Sequence, residues 1–488
     1  MMKNVYLITF GNSNLEQNTM KKLSPILFII AIILPTKVVS QNNEKVYYQV
    51  KLSGVGSIGN ASPFLFQSQN YGQITADKNS TYSNIVLGKD LNKNKKYFDI
   101  SFKINSLIRT SNNEKPNIYL HEYYTKVHIL NFLDIAAGSK EEILGTQDST
   151  LSGGGLLFSK NTRPMPKLTL GIEQYTNIPF TKGFIQIKGV VSHGWFEKAM
   201  VKNMYLHHKY GYIRIGGKLP IHIQYGLEHA CQWGGIHPEY GQQPDNINDL
   251  ITIFKGGHGG SSSNNGEQIN ALGNHIVSQS LKLEVDILDF KMNAYWQNIN
   301  EDPPVDYIWK NDMNMADGLW GISLRNKRLQ IINGLLYEYL NTTDQAGAIF
   351  QKDGIIYGGS DNYFSNYLYI DGWNFLNKTI GTPYIWPNTQ KWPNSTNNRV
   401  SVHHIGLEGE TNGYSYRLMA SYSKNYGTYT SPFRPMIENT STMLEIKKTY
   451  KQLYNIELGC TIGADFGGLY GNTLGCMLSV RKRGILIK

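Results

Sequence analysis

Cysteine is scarce in this chain, with 3 among 488 residues. A disulfide framework of the kind that holds small secreted domains together is therefore excluded, and the fold must depend on packing or on closure of a sheet. Cys460 and Cys476 flank a turn around Gly467 and Gly468. If that hairpin is symmetric about Gly468, the two cysteines lie opposite each other, so a disulfide and two free thiols both remain open.

Long apolar runs are also lacking. Beyond residue 41, no stretch approaches the roughly 20 consecutive apolar residues of a membrane-spanning helix. Ahead of it, a basic pair at 21–22 precedes an apolar run at 23–34, and small residues at 38 and 40 fit a cleavage site before Gln41. We predict an upstream extension at 1–19, a secretory signal peptide at 20–40 and a mature domain at 41–488.

Charged residues are few, at 17%, and unbalanced, with a net charge of +10. A basic protein attracts anions. For an exported chain the expected partners are acidic polysaccharide and lipopolysaccharide phosphate in the outer membrane, rather than nucleic acid. The sequence gives no indication of a cofactor.

Glycine and aromatic residues are abundant instead, with 48 Gly, 32 Tyr and 8 Trp at a mean hydropathy of -0.35. Transmembrane β-barrels have such compositions because only alternate residues face lipid and because aromatic girdles line both interfaces. A soluble, secreted all-β protein has the same composition. Composition alone therefore leaves both fold classes open.

Alternation of apolar and polar residues recurs along the mature chain. In 281–287 the odd positions are Leu, Leu, Val and Ile, while the even positions are Lys, Glu and Asp. The same period of two, which is that of a β-strand with one apolar face, is present at 221–228, 414–423, 456–462 and 474–480. Hairpins between such segments predict an antiparallel sheet.

Strand length and connection length favour a barrel in a membrane. Several segments run to about 9 to 11 residues, the length that a tilted strand needs to cross a bilayer. The connection 288–289 is very short, whereas 298–318, 341–366 and 381–398 are long and polar, as in bacterial barrels with short periplasmic turns and longer outer loops. We predict an all-β, antiparallel transmembrane barrel of roughly 16 to 18 strands, located in the outer membrane.

Helix is expected to be minor. A short helix is predicted at 245–254, where a capping residue opens the segment and Gly256 and Gly257 close it. Such an element is a candidate to plug the lumen of the barrel.

The candidate motifs for catalysis or metal binding in this sequence lack the residue spacing that such sites require. The Gly-rich stretch 256–261 lacks the Gly-Lys-Ser/Thr ending of a phosphate loop. His121 and His128 lack the i, i+4 spacing of a zinc protease helix, and the pairs 207–208 and 403–404 lie in strand-like sequence, where neighbours point to opposite faces. We therefore expect neither an enzyme nor a metal site.

Five motifs in order carry a resemblance to a known family: SGGGLLFSKNTRPMPK at 152–167, GVVSHGWF at 189–196, LHHK at 206–209, LEHACQWGG at 227–235 and EQINALGNH at 267–275. In these the chain resembles the Wzi-type capsule assembly outer-membrane proteins, as found in Bacteroidetes. The resemblance implies a monomeric barrel of about 18 strands with a plugged lumen. It also implies lectin-like binding of capsular polysaccharide without catalysis.

The C-terminal sequence departs from the usual barrel ending. Residues 481–488, RKRGILIK, are basic and lack a terminal aromatic residue. This departure bears on how the assembly signal is read, or it indicates a short tail after the last strand.

Candidate binding residues fall into two groups. Arg163 lies beside Pro164 and Pro166, which cannot join a strand ladder, so we expect a rigid inward loop that bears a cation. Its expected partners are Glu228 and His229, near Trp233. Loop tryptophans could stack on sugar rings or form an interfacial girdle: Trp309, Trp373, Trp386 and Trp392.

Three functions remain open from the sequence. The leading hypothesis is a barrel that binds and organises surface polysaccharide without turnover. The alternative is a substrate-conducting porin or transporter, which would use the same alternation around an open lumen. The third is a soluble, secreted, carbohydrate-active enzyme.

Overall fold

The computed structural model describes residues 45–92, 97–301, 316–347, 350–352, 355–357, 361–387 and 395–487. The predicted extension at 1–19 and signal peptide at 20–40 lie outside these residues, as do the predicted stacking residues Trp309 and Trp392.

The chain forms one closed antiparallel barrel of 18 strands, which confirms the predicted fold class. Each strand pairs with the next along the chain. The strands are β1 Val46–Ile58, β2 Ser80–Lys89, β3 Phe98–Ser111, β4 Asn117–Ile129, β5 Leu133–Ser139, β6 Pro166–Asn177, β7 Ile185–Trp195, β8 Tyr205–Ile215, β9 Ile221–Trp233, β10 Asn274–Ile287, β11 Phe290–Gln297, β12 Gly318–Asn326, β13 Gly334–Asn341, β14 Val400–Thr411, β15 Tyr414–Gly427, β16 Pro432–Tyr450, β17 Ile456–Gly467 and β18 Thr473–Ile487. The two-residue strand Asn300–Glu301 also pairs with β10.

Closure comes from pairing of the last strand with the first. The ladder between β1 and β18 runs from Val46 opposite Ile487 to Ile58 opposite Leu474. Residues 481–487 are therefore part of β18, and the possibility of a tail after the last strand is wrong for them. The physical reason is that their backbone groups are needed to satisfy the free edge of β1.

The two faces of the wall differ as the alternation predicts. On β10, Leu281 and Ile287 point outward and are 46% and 61% exposed. Glu284, between them, points inward, where it is paired with Arg214 at 2.8 Å. Apolar residues thus coat the outside of the barrel and charged residues line the inside.

Connections at the two rims are unequal. One rim has short turns, such as 288–289 and 412–413. The other has long connections, at 140–165, 234–273 and 342–399. The turn between β12 and β13 occupies 327–333.

The described part of the chain contains three short α-helices and one 3₁₀ turn: α1 Phe64–Ser68, α2 Ile247–Lys255, α3 Asn265–Ile269 and Lys451–Leu453. Within those residues, no helix combines the length and the apolar character needed to cross a membrane. The predicted helix at 245–254 is confirmed as α2. Asn246 caps it in a capping box with Asp249, and Gly256 ends it at a φ of 68°.

The main apolar core lies inside the barrel and not between layers. Leu151, Leu156 and Trp373, from the long connections, pack there against inward residues such as Val402 and Met419. Gly406 of β14 makes room for this packing, because a Cβ there would lie 2.7 Å from the Cβ of Leu151.

No disulfide joins the three cysteines, all of which lie in described residues. Cys460 is opposite Leu478, and Cys476 is opposite Ile462. The hairpin is centred on Leu469, one position later than the symmetric arrangement about Gly468, so the two thiols lie diagonally on neighbouring strands.

Candidate functional site

A segment of the 140–165 connection reaches the far wall of the lumen. Glu338, on β13, accepts hydrogen bonds from Ser152 Oγ at 2.7 Å and from the Gly153 amide at 2.9 Å. His404, on β14, donates through Nε2 to the carbonyl of Leu151 at 2.8 Å. The backbone of this segment is therefore held by inward side chains from strands that lie far away in sequence.

An ion pair strengthens that attachment. Arg325, on β12, binds Asp148 at 2.8 Å, and Thr150 Oγ1 donates to Glu408 at 2.8 Å. Burial raises the pKa of Asp148, but the hydrogen bond and charge of Arg325 outweigh burial and hold that pKa below its usual value. We refer to residues 146–155, which carry these contacts, as the inner segment.

Beside the inner segment, the lumen contains a polar cavity of about 210 Å³. Residues 140–145 form one side of it, and inward side chains of β6, β7 and β8 form the other. Its charged and aromatic lining consists of Lys140, Glu141, Glu142, Lys167, Glu173, Lys188, His208, Tyr210 and Tyr212.

Most charges around this cavity are compensated. Glu173 binds Lys126 at 2.9 Å and Lys140 at 3.1 Å, and Glu142 pairs with Lys167. For Glu142, burial raises the pKa, but the charges of Lys167 and Lys140 outweigh it and lower the pKa overall. Both carboxylates are accordingly ionised and paired with lysines, although Glu173 Oε1 has no hydrogen-bond partner among the described residues.

Lys188 differs from the other cations of the cavity. Its ammonium lies 4.3 Å from the ring centroid of Tyr212, 5.2 Å from that of Tyr175 and 5.9 Å from that of Tyr210. In the part of the chain that the structure describes, no carboxylate lies within ion-pair distance of it. Glu228 and Glu284 act on this charge from a longer distance. A cation without a direct ion pair can bind an anion, and the tyrosine faces suit the CH groups of a sugar ring.

His208 adds a further polar group to the cavity. It is 1% exposed and donates through Nε2 to Glu228 at 2.9 Å. Its Nδ1 has no hydrogen-bond partner among the described residues. An unsatisfied buried nitrogen of this kind can take a hydrogen bond from a ligand hydroxyl or from water.

Arg163 lies in the lumen at the edge of a smaller adjoining cavity of about 60 Å³. Its guanidinium stacks 4.8 Å from the ring centroid of Tyr119 and donates to the carbonyl of Leu120 at 3.2 Å. The carbonyl of Pro164, next to it, accepts a hydrogen bond from Ser139 Oγ at 2.6 Å. The loop is thus pinned by its backbone, and Arg163 borders the same polar region as Lys140 and Lys167.

A family model describes the larger part of this chain. The model of the capsule assembly protein Wzi matches residues 60–375. The chain belongs to the Wzi family. It is an outer-membrane protein, as the family and the closed barrel together indicate. No curated protein matches the chain significantly in sequence.

One solved structure has the same fold, and others are more distantly similar. The chain is similar to Wzi of Escherichia coli, whose description is an outer-membrane, carbohydrate-binding β-barrel involved in group 1 capsule assembly; identity is 12%, the TM-score is 0.56, and the match covers 97% of this chain and 89% of that one. It is also similar to OccK5 of Pseudomonas aeruginosa, at 7% identity and a TM-score of 0.49, with coverage of 91% and 98%. A BenF-like porin from Pseudomonas fluorescens has 9% identity and a TM-score of 0.46, with coverage of 90% and 99%.

In this Wzi-family barrel, the predicted partners of Arg163 are not its neighbours. Glu228 faces the lumen, where it binds His208. His229 and Trp233 have the opposite strand parity and share the outer face with Lys209 and Tyr205, which lie opposite them on β8. Their predicted place in the lumen is therefore wrong. The sequence does indicate their outward position, because His229 and Trp233 are separated from the outward-facing Ile221 by even numbers of residues along the same strand.

The described loop tryptophans have different environments. Trp373 is 0% exposed, and its Nε1 donates to the carbonyl of Leu157 at 2.9 Å. Its ring is therefore part of the core and presents no free face to a sugar. Trp386 is half-buried against Tyr470, with ring centroids 5.1 Å apart.

Sequence reasoning missed the aromatic group around Lys188. Tyr210 and Tyr212 lie on the same face of β8 as His208. The alternation of side chains along a strand therefore predicts that all three point the same way. The contact of Tyr175, on β6, with Lys188 could not be predicted from the sequence, because it depends on the tilt of neighbouring strands. Within the described residues, no group of three or more His, Cys, Asp or Glu side chains is arranged to hold a metal ion.

Proposed function

We propose that this protein binds capsular polysaccharide and organises it at the cell surface, without catalytic turnover. The observation that carries this proposal is the family match across residues 60–375. The description of the Escherichia coli relative as a carbohydrate-binding barrel involved in capsule assembly supports it. The protein acts as a monomer in outer-membrane lipid, beside lipopolysaccharide.

Polysaccharide meets the barrel at the rim with the long connections, which faces outward in bacterial barrels. The cavity around Lys188 lies deeper in the lumen, toward the short-turn rim, because Lys188 is only three residues from the start of β7. There it takes an acidic group of the polymer. The Lys188 ammonium, which makes no direct ion pair, attracts the carboxylate or phosphate, and the tyrosine rings pack on the sugar. Arg163 and Trp386 are further candidates at the long-connection rim. The proposed role of Glu228 is to orient His208.

The lumen is closed to solutes in this proposal. The hydrogen bonds of the inner segment with Glu338 and His404 support closure, as does the apolar core around Trp373. They weigh against a substrate-conducting porin. In planar bilayers, the protein should show no large steady current, and such a current would contradict the closed lumen.

Binding is best tested with one charge removed from the cavity. In the Lys188→Gln variant, binding of an acidic capsular polysaccharide to the purified protein should fall about tenfold, which corresponds to about 1.4 kcal/mol. Binding of a neutral dextran should not change. The control is Lys218→Gln, which removes the same charge from the exposed turn between β8 and β9, outside the cavity.

Equal loss of polysaccharide binding in both variants would mean that net charge acts and not the cavity. No binding by the wild-type protein would contradict the proposed function itself. In an encapsulated strain, deletion of the gene should release polysaccharide from the cell surface into the medium.

A further inference from the structure

The outer face of the barrel carries an unusual patch where β8, β9 and β10 approach the long-connection rim. Three positions pair side by side across these strands: His207, Cys231 and His275. The next row includes Lys209 opposite His229. These side chains point away from the lumen, yet His275 and Cys231 are 0% exposed. Something must cover the wall at this level.

Helix α2 is that cover. Ile253 is 0% exposed and packs with Cys231, Trp233 and Leu272. The ring of Phe254 lies 5.4 Å from that of His207. The helix therefore lies against the outside of the barrel wall. It does not enter the lumen, which corrects the prediction that it is a candidate plug.

The ammonium of Lys209 fixes the end of this helix. It lies 3.9 Å from the ring centroid of Phe254 and also donates to the carbonyl of Phe254. That carbonyl belongs to the last turn, where the helix dipole favours a cation. The contact joins the C-terminal end of α2 to β8 on the outer face of the wall.

A second apolar face of α2 remains uncovered. Ile247, Ile251 and Phe254 are 68%, 46% and 45% exposed. Their spacing of four and three residues places them on one side of the helix. Asn248 and Lys255, on the adjoining polar side, are also exposed. An amphipathic helix with this division is typical of segments that lie in a membrane interface.

The height of α2 on the wall agrees with such a position. From Ile221, at the short-turn end of β9, to His229, the strand climbs roughly 20 Å at about 3.3 Å per residue and a tilt of about 40°. The lipid-facing band of a barrel is about 25 Å tall. On the same face below the helix, Ile223 and Leu281 are 50% and 46% exposed, so the uncovered face of α2 is continuous with the lipid-facing wall.

We propose that α2 is an interfacial helix, whose Ile247, Ile251 and Phe254 face inserts among the lipids of the outer leaflet beside the barrel. Its internal hydrogen bonds and caps satisfy its backbone, which allows it to lie in that layer. The helix fixes the depth of the barrel in the leaflet and holds the 234–273 connection at the membrane surface.

The test uses fluorescent labels attached to single cysteines in a variant that lacks the three native ones. One label replaces Ile251, and the matched control replaces Asn248 on the polar side of the same helix. The barrel is reconstituted in vesicles of phosphatidylethanolamine and phosphatidylglycerol, and its folding is checked by retarded migration in unheated gels. Quenchers are a nitroxide carried by the lipid chains and iodide in the water.

At position 251, the lipid nitroxide should quench several times more strongly than at 248, and iodide should show the reverse order. Equal quenching by iodide at both positions would overturn the proposal, because the face would then lie in water. Protection of position 251 from both quenchers would also overturn it, because a protein surface, such as a second copy of the chain, would then cover the helix.

Discussion

Two connections leave the same rim of this barrel and fold in opposite directions. The inner segment at 146–155 enters the lumen, whereas α2 in the 234–273 connection lies on the outer wall. The inner segment is irregular, and its Gly153 amide and Leu151 carbonyl are satisfied by Glu338 and His404 of the wall. Helix α2 satisfies its own backbone and touches the wall through Ile253 and Phe254.

This difference shows which kind of segment can pack against each face of the barrel wall. Inward positions carry charged and polar side chains, so they can hold irregular backbone by hydrogen bonds. Most outward positions are apolar. Lys209, which donates to the carbonyl of Phe254, and His275, which hydrogen-bonds that of Leu272, are exceptions beside α2. A segment on this face must therefore satisfy most of its own backbone groups, because unsatisfied groups are costly at a lipid surface. Backbone regularity, rather than hydrophobicity alone, decides which connection can lie outside.

The largest expected effect is on the inner segment. Replacement of Glu338 by Ala leaves the Gly153 amide and the hydroxyls of Ser152 and Tyr295 without their acceptor, at a cost of about 3 kcal/mol in the free energy of unfolding. The midpoint of thermal unfolding should fall, and bilayer conductance should rise. Glu410→Ala, at an exposed position near the opposite rim, is the control and should change neither.

Helix α2 should respond next, and only locally. Ile253→Ala leaves a cavity between the helix and Cys231, which weakens the attachment by about 2 kcal/mol. Amide exchange in 247–255 should accelerate, while exchange in the inner segment stays unchanged. If amide exchange accelerated equally in both regions, the two connections would be coupled, and the contrast drawn between them would be wrong.

A pH dependence should distinguish the inner segment from α2. The pKa of Asp148 is lowered in the folded protein, so its ion pair contributes stability that is present above the unfolded value of about 3.9 and lost as pH falls through the folded value. Acid should therefore loosen the inner segment first. In Asp148→Asn, this acid sensitivity of amide exchange should disappear, and persistence of the full effect would assign it to another carboxylate.

The smallest expected effect concerns the cap of α2. Asn246→Ala removes the side chain that accepts from the amides of Asn248 and Asp249, at a cost of about 1 kcal/mol. Proteolysis within 247–255 should become faster in detergent. Asn246→Asp, which retains a capping oxygen, should restore the wild-type rate; if it does not, the cap is not what stabilises the helix.

Much of the fold could be predicted because its signals are local. Alternation over long segments predicts strands, and Asn246 with Gly256 predicts both ends of α2. Prediction failed where the polarity of a side chain suggested one face of the barrel wall and its position in the alternation of the strand indicated the other. His229 and Trp233 are polar or amphipathic, which suggested the lumen, although they share the parity of the outward Ile221.

The candidate site was less accessible than the fold. The sequence predicts that Arg163 lies on a rigid loop. Its contact with Tyr119 could not be predicted, because it depends on how β4 lies beside that loop. The sequence does not single out Lys188. Its distinction is that no carboxylate of the described residues lies within ion-pair distance of it. This is a property of the surroundings and leaves no trace in nearby sequence.

The sequence by itself determined the strands, their antiparallel order, the short helix and the family, because each depends on periodicity or on motifs within a few tens of residues. Tertiary structure decided which connections fold inward and which fold outward. The contact of His404 with Leu151 joins positions 253 residues apart. Such a contact depends on the closed barrel, which brings opposite walls within reach of one segment. The alternation along a single strand cannot predict it, because that alternation is the same whichever connection enters the lumen.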